Sequence, residues 1–144
     1  MQVNFSFDLR TNRSDCDWLV TTADLDSQRQ KCRPGINAHT VEFLIADNAA
    51  QHRLRLLLEG KRKQDTDLAQ DGQILQDLVV IADNFVLDGI RIDALVREFA
   101  VYKHDQNGNL ATVQDHPFYN QLGCNGELIF EFTTPAYLWL LERM

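Results

Sequence analysis

The sequence predicts an all-β chain folded as an antiparallel sandwich, and three observations carry that prediction. Apolar residues alternate with polar ones in segment after segment, the period of two that gives each strand one apolar face. Pairs with turn chemistry, among them Asp47-Asn48, Asp88-Gly89 and Asn107-Gly108, punctuate those segments at short intervals. Few segments carry a credible helical pattern.

The chain opens with Val3, Phe5, Phe7 and Leu9 alternating with Asn4, Ser6, Asp8 and Arg10, a strand with four apolar side chains on one face. Residues 11–38 turn polar, with Asp15, Asp17, Asp24, Asp26 and Pro34-Gly35, and read as loop-rich around a short apolar strand, Trp18-Leu19-Val20. Val41, Phe43 and Ile45, then Leu54, Leu56 and Leu58, flank Asp47-Asn48 and predict two antiparallel strands joined by a turn. From Leu78 to Leu87 apolar residues lie on both faces around the turn-like Asp83-Asn84, as in a strand covered on both sides. Asp88-Gly89 is a two-residue hairpin signal leading to Ile90 and Ile92. A strand over 97–103 is expected to turn Phe99 and Val101 inward, with Tyr102 on the opposite face, and to return through residues 105–109 into a strand at Leu110 to Val113. Leu128, Phe130 and Phe132 form the last strand, and Thr134-Pro135 starts a short C-terminal helix, with Thr as cap and Pro at the first helical position. The tally is about eight or nine strands, the number of a jelly-roll-like sandwich. Its expected core is Phe5, Phe7, Val41, Phe43, Leu54, Leu56, Leu78, Val80, Phe85, Leu87, Phe99, Val101, Leu128, Phe130 and Phe132.

A chain of 144 residues suits one domain spanning 1–144. A net charge of −7 and a pI near 4.9 argue against nucleic acid, whose backbone demands clustered cations. The basic cluster Arg53, Arg55, Lys61, Arg62 and Lys63 reads as the wet face of a strand. No apolar run approaches the roughly 20 residues of a membrane span. The N-terminus lacks a basic start followed by an apolar core, so cytoplasmic synthesis without a secretory signal is expected. Cys16, Cys32 and Cys124 form no C-x-x-C pair; Cys16 and Cys32 either close a disulfide or remain reduced thiols.

The order Thr40-Val41-Glu42-Phe43, Leu54 to Gly60, Asp77 to Ile81 and Phe85-Val86-Leu87-Asp88-Gly89-Ile90 resembles the strand-and-turn order of jelly-roll carbohydrate-binding and lectin-like modules. It is similar also to small β-sandwich proteins of tailed bacteriophage particles. The resemblance covers residues 40 to 132 and implies the fold, with no ligand residues carried across.

Chemistry is sparse. His39, His52, His104 and His116 lack the three- or four-residue spacing of a helical metal site, and no nucleophile sits in a Gly-x-Ser-x-Gly turn. Asp105, Asn107 and Asn109 alternate like the oxygen ligands of a calcium loop, although Leu110 and His116 stand where such a loop carries Gly and a bidentate Glu. Asp65, Asp67 and Asp71 form a second acidic set. Aromatic residues outside the alternating core, Trp18, Tyr102, Phe118 and Tyr119, are candidate ligand contacts, and Tyr137, Leu138 and Trp139 a candidate interface. These features favour a non-enzymatic assembly protein without a cofactor, forming a homo-oligomer or a bacteriophage particle component incorporated into a virion. The alternatives are a calcium-assisted glycan-binding module and a small hydrolase.

Overall fold

The computed structural model describes residues 2–13, 18–62, 65–68, 70 and 74–143. Two antiparallel sheets pack face to face. The first contains β1 (Gln2–Thr11), β4 (His39–Ala46), β8 (Val80–Leu87), β9 (Ile90–Arg91) and β12 (Gln121–Leu122), in the order β12-β8-β1-β4 with β9 paired to β8. The second contains β2 (Val20–Leu25), β3 (Gln28–Cys32), β5 (Ala50–Glu59), β10 (Val101–His104), β11 (Gln114–His116) and β13 (Gly126–Thr134), in the order β11-β10-β13-β5-β2-β3. A separate hairpin joins β6 (Thr66–Leu68) to β7 (Ile74–Asp77), and two short helices follow, α1 (Asp93–Phe99) and α2 (Ala136–Arg143).

The core lies between the sheets because alternation aims one side of each long strand inward. Phe5 on β1 stacks on Phe132 of β13 at 5.4 Å between ring centroids, and Phe7 stacks on Phe85 of β8 at 5.2 Å. Full burial of one such ring contributes roughly 1.5–3 kcal/mol. Every expected core residue is buried except Phe99 and Val101. The Asp88-Gly89 hairpin is present, with φ of 52° and 79°, the left-handed pair required by a tight two-residue turn.

Several sequence expectations are corrected. Residues 11–38 contain the β2–β3 hairpin, turning at Asp26 with φ 57°. β3 went unseen because Gln28-Arg29-Gln30-Lys31 carries no apolar residue: it is an edge strand with little to bury. The strands flanking Asp47-Asn48 do not pair with each other; β4 pairs β1 and β5 pairs β2 and β13, so the turn is a corner between sheets. Asp83-Asn84 lies within β8, where Asn84 at φ 55° and a register shift against β1 mark a bulge. The expected strand over 97–103 divides into α1 and β10. Tyr102 therefore points inward, and Phe99 is left 46 % exposed. Leu110 to Val113 remain outside the returning strand, which is Gln114–His116. Thr134 does not cap α2. Its hydroxyl donates to the Asn48 carbonyl, while Asp47 Oδ1 accepts the Ala136 N–H at 2.9 Å and caps the helix from a distant corner. The Thr134–Pro135 peptide is cis.

Candidate interaction surfaces

α2 has two apolar faces. Ala136, Trp139 and Leu140, at helical spacing, are buried; Trp139 stands edge-on to Phe130 and Phe132 at 5.8 and 6.1 Å. Trp139 is thus an anchor of the helix and is withdrawn from the expected interface. Tyr137 and Leu138 face outward at 58 % and 44 % exposure, and Leu141, absent from the expected set, joins them at 70 %. Leu141 lies one turn from both Tyr137 and Leu138 and neighbours each of them. Arg143, one turn beyond Trp139, extends over its ring at 4.7 Å and toward Phe99 at 5.8 Å, linking the anchored side of α2 to the end of α1. The signal was available in the sequence: 136, 139 and 140 share one side of a helix, which places 137, 138 and 141 on the other.

The four aromatic residues expected to contact ligand are dispersed. Phe118 is fully buried, edge-on to Phe85 at 6.2 Å. Tyr102 is buried, its hydroxyl donating to the Cys124 carbonyl and accepting the Cys124 N–H at 3.0 Å, and burial pushes its pKa well up. Trp18 is half-buried beneath the Arg62 guanidinium, 3.8 Å from the ring centre, and its indole N–H donates to Asp65 Oδ2 at 3.2 Å. Burial alone would raise the pKa of Asp65; hydrogen bonds from the Arg62 side chain and backbone and from Trp18 outweigh it and hold the carboxyl below its ordinary value. Tyr119, 72 % exposed, presents a free ring.

In the expected calcium loop, Asp105 Oδ1 accepts the Gly108 N–H at 2.9 Å, Asn107 Oδ1 accepts the Asn125 N–H at 2.8 Å, and the Asn109 N–H donates to the Gln106 carbonyl at 3.2 Å. Side-chain oxygens of Asp105 and Asn107 are thus engaged in closing the loop. Of the second acidic set, Asp65 is tied to Arg62, and Asp71 and the Asp67 side chain lie outside the described residues. Among the described residues no three His, Cys, Asp or Glu side chains gather around a common point.

The scattered histidines are partly brought together. His104 and His116 stack at 3.7 Å with 7° between planes. Parallel rings direct their lone pairs in parallel planes, so this pair does not converge on one ion. His52 lies between Asp26 Oδ2, 2.7 Å from Nδ1, and Thr134 Oγ1, 2.9 Å from Nε2, the order of a catalytic triad. His52 and Thr134 are both buried and the hydroxyl is engaged with the Asn48 carbonyl, so this network ties three chain segments together.

Lys61 corrects the wet-face reading of the basic cluster. Its side chain is buried, donating to Asp77 Oδ1 and the Gly123 carbonyl. Arg53 and Arg55 do face water, ion-paired with Glu131 and Glu127. The Cys32 thiol is free, 2.9 Å from Thr21 Oγ1, and burial raises its pKa; Cys16 lies outside the described residues.

The outer side of the second sheet holds a groove of 530 Å³ that sequence reasoning missed. Thr22 and Leu57 lie in it, with Asp24, Arg29, Lys31, Arg55, Glu59 and Glu127 around them. Those positions are the outward sets of β2, β3, β5 and β13, and without the β2–β3 hairpin they could not be assembled. Compared with protein-family models, curated proteins and solved structures, the chain matches none.

Proposed function

We propose that this protein is a non-enzymatic assembly module that docks on a second subunit through the outer face of α2. The observation that carries this reading is the cluster Tyr137, Leu138 and Leu141, exposed on a helix whose opposite side is anchored by Trp139. Apolar groups presented on a rigid support are the chemistry of protein interfaces, where a few anchors dominate the binding energy. The bacteriophage-particle setting draws its support from the strand-and-turn order, whereas the helix supports the coarser statement of assembly. Glycan binding has less support, since three of its four aromatic candidates are engaged within the fold.

Size-exclusion chromatography with light scattering at two protein concentrations tests the reading. We expect the mass of the wild-type protein to rise with concentration and the Leu141→Asp variant to remain monomeric. A monomeric wild-type protein at both concentrations, with no partner displaced by that substitution, would sink it.

A further inference from the structure

We propose that the groove on the outer side of the second sheet binds a short zwitterionic peptide, its carboxylate received by Lys31 and its ammonium group by Glu59. The register fixes the site. Lys31 pairs with Thr22, Thr22 with Leu57 and Leu57 with Glu127, so one row crosses four strands; Arg29, Asp24 and Arg55 form the next row. The volume, 530 Å³, falls within the roughly 300–1,000 Å³ of small-molecule sites.

Charge selects the ligand. Asp24, Glu59 and Glu127 balance Arg29, Lys31 and Arg55. Two internal pairs consume four of these groups: Arg29 reaches Asp24 at 3.3 Å, and Arg55 grips Glu127 with two hydrogen bonds, one of 3.1 Å. The Lys31 and Glu59 side chains make no hydrogen bond or ion pair among the described residues, leaving one cation on the β3 side and one anion on β5. They lie two strands apart and two residues out of register, about 12 Å between Cα atoms at a strand spacing of about 4.8 Å and a rise of about 3.3 Å per residue. A di- or tripeptide, at roughly 3.3–3.6 Å per residue, spans the interval between their head groups once hydrogen-bond contact distances are allowed for. Arg29, on the same face of β3, stays paired to Asp24, so the carboxylate falls to Lys31, and Thr22 and Leu57 line the floor between the two charged ends. Glu59 and Glu127 repel a polyanion, which separates this site from a phosphate-chain or nucleic-acid surface.

The probe is triglycine with free termini, titrated into the isotope-labelled protein and followed by amide shifts, beside N-acetyl-triglycine and triglycine amide. We expect saturable shifts at Thr22 and Leu57, affinity reduced at least fivefold by either cap, and the same loss in Lys31→Met and Glu59→Gln. In Glu59→Gln, the acetyl cap should no longer matter. Absence of saturable shifts at those positions, or binding indifferent to both caps, overturns the proposal. Both substituted residues are exposed, and the unchanged remainder of the spectrum reports that each variant is folded. Leu141→Asp leaves this binding intact, so failure here and failure of the α2 interface are read separately.

Discussion

Two side chains show how the final surroundings, and not the residue type, decide behaviour. His104 accepts the Gln106 N–H on Nδ1 at 3.1 Å and stacks on His116, whose Nε2–H donates to the His104 carbonyl at 3.2 Å. Burial first, then the neighbouring His116, push the His104 pKa below its ordinary 6.5, against an opposing pull from Asp105. The folded imidazole therefore binds a proton less readily than the unfolded one. Its contribution to stability is complete above about pH 6.5 and is lost as pH falls from there through the lower folded value. Thermal melts at pH 7.5 and 5.5 should show a lower midpoint at 5.5 and a smaller difference in His104→Asn; an equal difference in that variant would remove His104 as the cause. Lys61 is the second case. With its ammonium group buried between Asp77 and Gly123, Lys61→Ala should destabilise by roughly 3–5 kcal/mol in urea, while Lys61→Met with Asp77→Asn should recover part of that loss. Losses of Lys61→Met and Asp77→Asn that simply add in the double variant would show that the pair is not coupled. The sequence suggested a solvated lysine because Lys61 was grouped with Arg53 and Arg55, whose alternation with Leu54 and Leu56 marks a wet face. At Gly60, φ is +99° and an added Cβ would lie 2.4 Å from the Trp18 carbonyl oxygen, so the chain turns there and takes Lys61 inside.

At the scale of the element, legibility followed burial. β1, β4, β5 and β13 each bury a regular apolar face, and alternation revealed them; β3 and β11 bury almost nothing, and no periodicity could. Between Ile92 and Val101 two periods overlap. Ile92, Val96 and Ala100 recur every four residues and are buried along α1, but Phe99 and Val101 continue a false alternation across the helix end. The start of α2 depends on contact rather than on its own sequence, since Asp47, distant in the chain, accepts the Ala136 N–H. Asp47→Ala should therefore cost about 1 kcal/mol in urea unfolding and reduce association through α2, because the helix that presents Tyr137, Leu138 and Leu141 frays. A variant with unchanged stability would show that the cap contributes nothing.

Across the whole molecule, alternation tells which side of a strand is buried but not which sheet the strand joins, and so the crossing at Asp47-Asn48 and the groove over four strands were hidden while the sandwich itself was legible. The same architecture leaves two strands, β3 and β4, at neighbouring edges of opposite sheets. Such edges invite pairing with another chain. Here the Gln28 side-chain amide donates to the Leu44 carbonyl at 2.8 Å and that of Gln30 to the Glu42 carbonyl at 2.6 Å, so β3 occupies the outward acceptors of β4 and closes this flank. If association proceeds through α2, it should not need that flank. Leu141→Asp should be monomeric, and adding Gln28→Ala and Gln30→Ala to it should remove roughly 1 kcal/mol per hydrogen bond and restore a slow association of a different kind, through β4. Light scattering over days, with a dye that reports cross-strand stacking, distinguishes the two routes. A triple variant that stays monomeric would mean that the glutamines contribute stability alone, whereas slow growth would show that one flank of the sandwich is guarded so that assembly is confined to the helix.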